Sequence, residues 1–273
     1  MSPRRGLFRR SIALPADHGS WVFLLSPLII GLAIGGRWTP PVFYLVVAAI
    51  CGFFTRQPMT IAVKALSGRR SQKDLFPALF WSAVYGVIGS IHVVGLVMRG
   101  FGYLLYLAIP GMAVFAWYLY LVSRREERRQ FGLEILGAGV FALTAPAGLW
   151  AGIGRPVPLG WLLWALTWAQ SAASIAYIYL RLHQRSFEKV PPLLQRLDSG
   201  LPVLSLTSLN LLAVTALGMD GLISSRLALA FLPQWLEAVW GTWRPAIGSR
   251  PTSIGIRQMI VSALYTLLFV WAW

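Results

Sequence analysis

Between Asp74 and Arg99 the chain runs for 24 residues without an aspartate, glutamate, lysine or arginine, and comparable runs recur along its length. A stretch of about 20 mostly apolar residues is what an α-helix needs to cross a hydrocarbon layer. Of the 273 residues, 57% are hydrophobic and 12% charged, against roughly 45–50% and about 25% in soluble domains. A soluble fold of this size could not hide so much apolar surface, so lipid must solvate it. In lipid every backbone N–H and C=O has to be paired inside the protein, which leaves helix bundles or closed barrels. The apolar runs show no period-two alternation, so helices are expected.

The expected architecture is all-α: a polytopic transmembrane helix bundle of about nine spans, forming a single domain over residues 1–273. The spans are 20–36, 38–55, 75–98, 101–122, 131–153, 158–180, 201–219, 222–243 and 256–273. The net charge of +15 is scattered in short clusters between these runs, which argues for topology signalling and against a nucleic-acid partner. If the N-terminus is cytoplasmic, the segments 4–10, 56–73, 124–129, 181–196 and 244–257 lie inside. They hold every lysine and arginine except Arg37, Arg99, Arg155 and Arg226. This positive-inside bias implies a multi-pass protein of the plasma (inner) membrane whose C-terminus lies outside. The weakest span is 222–243, which contains Pro233, Gln234 and Glu237 and is expected to kink at the proline. The first apolar run lacks a small-x-small exit and reads as a retained helix. Cys51 is the one cysteine, which rules out an intrachain disulfide and a cysteine-cluster metal site.

Two connections are long enough to have structure. Residues 56–74 place Met59, Val63 and Leu66 at helical spacing, as in a short helix lying in the interface. Residues 181–200 are basic and broken by Pro191 and Pro192.

Polar residues near the span ends are the candidates for chemistry. LPADHGSW (Leu14–Trp21) leads into the first span, where Asp17 suits a helix cap and His18 titrates near neutral pH. Glu134 lies about one turn into the fifth span, where a carboxylate is costly without a partner. Arg56 is its first expected partner and Arg181 its second. Arg181, His183 and Arg185 close the sixth span, where they complement the helix dipole or fork onto an anionic head group or diphosphate. Gln170, Ser171, Ser174 and Asn210 lie deep in spans, where small and amide side chains serve helix packing. There is no phosphate-binding glycine loop, paired-histidine motif or nucleophile elbow. With no carboxylate cluster either, no metal and no cofactor is expected. Acidic residues at mid-membrane depth, which a proton-coupled pump uses, are missing as well.

On LPADHGSW, Arg56-Gln57-Pro58, ERRQFGLE (Glu127–Glu134) and Ala145-Pro146, the chain resembles the YwiC-like family of bacterial membrane proteins. IAYIYLRLHQR (Ile175–Arg185) and SRPTSIGIRQM (Ser249–Met259) extend the likeness. In architecture it is distantly similar to UbiA-type prenyltransferases, nine-helix proteins with a cytoplasmic N-terminus and active-site loops after the second and sixth spans. That likeness implies magnesium-holding aspartates in both loops. This chain has Arg56-Gln57-Pro58 in the first and Arg181 to Arg185 in the second, with Asp74 the one acid of the first loop. Metal-assisted ionisation of a diphosphate needs clustered hard oxygen ligands.

The expected cytoplasmic mouth therefore gathers Asp17, His18, Arg56, Gln57, Glu134, Arg181, His183 and Arg185. The leading expectation is a UbiA-like scaffold, embedded in membrane lipid, that binds an anionic amphiphile such as an isoprenoid or quinone precursor. One alternative is a metal-independent or divergent prenyltransferase. The other is a small transporter or an assembly partner of a respiratory membrane complex. A transferase needs a closed polar pocket where spans two and six end, and a transporter a polar path through the middle. An assembly partner needs a large apolar patch without pockets.

Overall fold

The computed structural model describes residues 7–15, 19–127 and 130–273. Among the described residues there are helices and turns but no strand, as the need to pair every backbone group internally demands. Besides a single turn at Arg10–Ala13 and three short 3-10 turns, the helices among the described residues are α1 (Ser20–Gly35), α2 (Pro40–Leu66), α3 (Leu75–Met98), α4 (Leu105–Arg124), α5 (Phe131–Ala142), α6 (Thr144–Ile153), α7 (Leu159–Gln184), α8 (Leu193–Met219), α9 (Ala228–Trp243) and α10 (Pro251–Ala272). Among the described residues six segments are long and apolar enough to cross a membrane: Pro40–Leu66, Gln72–Met98, Gly102–Arg124, Phe131–Ile153, Leu193–Met219 and Pro251–Ala272. The other three expected spans are helical but stand outside that set. Two of them, α1 and α9, have 16 residues each, and α7 carries Gln170, Ser171 and Ser174 within its 26.

Several expected boundaries move. Helix α2 does not exit at Arg56-Gln57-Pro58 but runs on to Leu66, so the separate interfacial helix expected over 56–74 is its last turns. Pro58 leaves one carbonyl without its usual donor, yet the helix stays intact and Thr60 Oγ1 donates to Arg56 O at 2.7 Å. The connection expected over 181–200 shrinks because α7 reaches Gln184 and α8 begins at Leu193. The span expected as continuous over 131–153 is two abutting helices. Pro146 has no N–H to offer Ala142 O, and just before it Thr144 Oγ1 donates to Phe141 O at 2.7 Å.

Helices α1 and α6 cross with their backbones in close approach. Gly31 and Gly35 face Ala145, Gly148 and Gly152, and a Cβ added at Gly152 would lie 2.9 Å from the Gly35 backbone. Small residues four apart let two backbones meet, the usual basis of tight helix contact in lipid. Around this crossing sits the main core, with Ile30, Val42, Leu149, Leu163, Tyr265 and Phe269 nearly inaccessible. The α5–α6 segment is the most enclosed, 67% buried over its apolar window, whereas the segment containing α3 is 11% buried and lies at the edge.

Side-chain contacts bring alternate helix ends together. At one end Arg69 reaches Glu127, Arg181 reaches the carbonyl of Arg244, and Arg196 reaches that of Trp243. At the other, Arg99 lies over the Tyr44 ring and Tyr103 donates to Trp150 O. Basic residues thus collect at the first end, hereafter the basic end.

Candidate functional site

The polar residues of α7 share one face. Thr167, Gln170, Ser174, Tyr177, Arg181 and Gln184 recur three or four positions apart, so successive turns align them. All six are buried, Gln184 completely. Opposite them stand Gln234 and Glu237 of α9 and Gln258 of α10. Ser174 Oγ donates to Gln258 Oε1 at 2.8 Å, and Gln170 Nε2 lies 3.4 Å from Gln234 Oε1. The side-chain amide nitrogens of Gln234 and Gln258 are buried without a hydrogen-bond partner among the described residues. These residues form a polar seam between three helices inside an apolar bundle.

At the basic end the seam widens into a cleft of about 160 Å3 lined by Tyr177, Arg181, Ser249, Ser253, Ile254 and Arg257. Helix α9 ends here, and the last carbonyls of a helix have no partner within it. Arg181 Nη1 takes up two carbonyls, Gly241 O at 3.0 Å and Arg244 O at 2.6 Å, and also binds Gln184 Oε1 at 2.9 Å. Gln184 Nε2 donates to Gly241 O at 2.9 Å. The arginine expected to complement its own helix dipole therefore caps a neighbouring helix. Glu237 is held from two sides: Arg257 grips it with both Nε (2.7 Å) and Nη2 (2.8 Å), and Tyr177 Oη donates at 2.9 Å. Arg257 and Arg244 also lie over the Trp240 ring, 6.0 and 4.9 Å from its centroid.

The charges in this cleft do not balance. Glu237 is paired with Arg257, while Arg181 has no carboxylate within 4 Å among the described residues. Its Nε and Nη2 make no hydrogen bond there either, although only 9% of the residue is exposed. A buried guanidinium without a counter-ion is costly, and here it borders open space.

The expected mouth is thus divided by α7. Tyr179 lies two residues from both Tyr177 and Arg181, about 200° around the helix, and on that side its hydroxyl donates to Glu134 Oε1 at 2.9 Å. Glu134 is exposed, and the expected ion pair with Arg56 or Arg181 is not formed among the described residues; Arg56 acts on it only through its nearby charge. Gln57 turns to the N-terminal segment and donates to Ser11 O at 3.1 Å. His183 is exposed against the Phe187 ring, and Arg185 is exposed beyond the end of α7. Asp17 and His18 lie outside the described residues. Of the six described candidates, the cleft contains Arg181 alone. Ser171 is buried on the seam side and donates to Thr167 O; Asn210 Nδ2 donates to Ala169 O at 3.0 Å, a packing role as expected.

A separate clamp ties the ends of α2 and α4. Arg69 forks onto Glu127 at 2.6 and 3.0 Å, and Lys64 approaches it at 3.5 Å. The fork holds the Glu127 carboxyl at a pKa of about 2, well below the usual carboxylate range, and raises that of the Arg69 guanidinium. Among the described residues no three histidines, cysteines, aspartates or glutamates converge as metal ligands would.

Comparison with known proteins bears on the first half of the chain. Residues 14–149 match the family described as YwiC-like protein. Over those residues, the chain belongs to the YwiC-like family. A relative from Bacillus subtilis (strain 168), described as uncharacterized protein YwiC, is 24% identical over 152 residues. That alignment covers 55% of this chain and 59% of the relative, so the chain spans little more than half of the curated relative it matches. No solved structure matches. The YwiC-like segment holds the α1–α6 crossing as far as Gly148 and the Glu134 side of α7's surroundings, whereas every residue lining the cleft falls after residue 149.

Residues missed from sequence were Tyr177, Glu237, Ser249, Ser253 and Arg257. The signal for four of them was at hand: Tyr177 lies in IAYIYLRLHQR, and Ser249, Ser253 and Arg257 lie in SRPTSIGIRQM. These two short stretches form the cleft.

Proposed function

We propose that the chain is a plasma-membrane protein of nine spans, N-terminus inside and C-terminus outside, that binds an anionic amphiphile at its basic end. The observation that carries the ligand reading is Arg181: buried, with no carboxylate within 4 Å among the described residues, and bordering a cleft beside exposed apolar surface. The head group enters the cleft, and the tail lies along exposed apolar residues such as Ile256 and Ile260 of α10. The isoprenoid or quinone-precursor scaffold expected from the UbiA likeness is one source of such a ligand. The gathering of basic helix ends supports the nine-span topology. Native mass spectrometry of the protein released from membranes in mild detergent tests the ligand. Co-purification of an acidic lipid-like species, lost in Arg181→Gln, is expected; only neutral lipids bound equally by both forms would refute it. Reporter fusions at the two termini should report opposite sides, and a same-side result would sink the span count.

The seam favours a second reading, a small transporter. Gln170, Ser174, Gln234 and Gln258 continue inward from the cleft, where a polar path is expected. Uptake of a polar solute into liposomes carrying the protein, abolished by Gln258→Leu, supports it; uptake equal to that of empty liposomes refutes it.

A further inference from the structure

We infer that the head group recognised by the cleft is a phosphomonoester, and that Glu237 is the resident anion with which it competes for Arg257. The inference rests on the amphiphile reading and narrows it. Its basis is the number and kind of donors that surround the cleft. Arg181 offers Nε and Nη2 on one edge of its guanidinium, and Arg257 keeps Nη1 outside its grip on Glu237. Ser249 Oγ makes no hydrogen bond among the described residues, and Ser253 Oγ, which donates to Arg250 O at 2.7 Å, still has lone pairs but no second proton. Helix α10, 22 residues long, begins between them and adds its positive dipole end and the Thr252 N–H; Pro251 has no N–H, and those of Ser253 and Ile254 donate to Arg250 O.

These donors exceed what a carboxylate can use. Its two oxygens are satisfied by one arginine fork, as Glu237 itself demonstrates on Arg257. A phosphomonoester presents three terminal oxygens and a charge of about −1.5 to −2 near pH 7. The cleft is lined by two guanidiniums, and among the described residues one carboxylate, Glu237, pairs with them, so it still attracts an anion after Glu237 is counted. Size agrees: about 160 Å3 corresponds to roughly five waters at about 30 Å3 each, enough for a phosphoryl group and too little for an acyl chain. Ile254 on the cleft wall is the first apolar contact a tail would meet.

The test uses the full chain in mixed micelles, with bound molecules counted by native mass spectrometry. The probes are phosphatidic acid, oleate, phosphatidylcholine and inorganic phosphate. One phosphatidic acid per chain is expected, bound at least tenfold tighter than oleate or phosphatidylcholine. Arg181→Gln and Arg257→Gln should each weaken it tenfold or more, and Arg185→Gln, on an exposed residue beyond the cleft, should not. Glu237→Gln is the discriminating variant, because removing the competing carboxylate should tighten phosphatidic acid severalfold, a gain that misfolding cannot produce. If oleate binds as tightly as phosphatidic acid, the phosphate inference fails while the amphiphile reading survives. If no anionic amphiphile is preferred over phosphatidylcholine, but inorganic phosphate binds and is lost in Arg181→Gln, the phosphoryl chemistry stands and the amphiphile reading fails. Binding of neither overturns both, and weaker binding in Glu237→Gln overturns the competition.

Discussion

Helix α7 has two polar faces, and they are built by different chemistry. Towards α9 and α10 it presents amides, a serine, Tyr177 and a buried arginine that share hydrogen bonds with other side chains. Towards α5 it presents aromatic rings: Trp164 and Trp168 donate their indole N–H to Gly139 O and Ile135 O, both at 2.9 Å, and Tyr179 donates to Glu134. On the aromatic face each donor ends on one acceptor, and little polar capacity is left over. On the seam face two amide nitrogens and part of a guanidinium have no hydrogen-bond partner among the described residues. Spare capacity, rather than polarity as such, separates a binding surface from a packing surface.

Matched substitutions probe this difference. Each face relies on a glycine for close approach: a Cβ at Gly241 would come 2.6 Å from the Tyr177 ring, and one at Gly139 would come 2.7 Å from Trp168. Gly241→Val and Gly139→Val should each destabilise the protein by roughly 1–3 kcal/mol through overpacking, seen as lower thermal unfolding midpoints in detergent. Only Gly241→Val should also abolish retention of an acidic ligand. Equal ligand loss in both would erase the functional distinction between the faces.

Arg181→Met comes next. It removes a buried charge but strips Arg244 O of its side-chain donor, at about 1–3 kcal/mol for a buried group left unsatisfied, while Gly241 O keeps Gln184 Nε2. A midpoint unchanged or raised would mean that the cost of burying the guanidinium outweighs its capping. Tyr179→Phe is the counterpart on the aromatic face, where one hydrogen bond to an exposed carboxylate is worth about 0.5–1.5 kcal/mol. Its effect on ligand retention should be nil.

The smallest effect belongs to a control off both faces. Glu127 titrates at about 2 in the folded protein, below the ordinary carboxylate value. A depressed pKa stabilises the fold at pH above the unfolded value, and that contribution is lost as pH falls towards about 2. Unfolding midpoints measured downward from pH 5 should therefore fall less steeply in Glu127→Gln than in the parent. Parallel profiles would show that the Arg69 fork contributes nothing.

What the sequence made legible follows from what lipid penalises. Apolar length and the placement of charge are both enforced by the bilayer, so helices and the collection of basic residues at one end could be read directly. Angular position is not enforced in that way. Arg181, His183 and Arg185 look equivalent as a string, yet a helix sends them to different surroundings, and only the first enters the cleft. The expectation that Glu134 pairs with a cation takes its depth from chain position; it is exposed, and its direct partner is the Tyr179 hydroxyl, with the Arg56 charge nearby. Glu237 was noted only as a blemish in a weak span, because its partner Arg257 lies 20 positions away on the next helix.

The glycine crossing also sets an order of events during synthesis. Helix α1 meets its closest partner only when α6 exists, and Thr144 Oγ1 reaches Leu24 O at 3.4 Å from 120 positions further along the chain. At about 5–20 residues per second, α1 waits on the order of ten seconds after its own completion. Throughout that interval its glycine face, smooth and without side chains to shield it, is open to any other helix in the membrane with small residues four apart. Correct assembly therefore depends on how quickly the ribosome delivers α6, and slowing translation between Gly35 and Thr144 should trap α1 with the wrong neighbour.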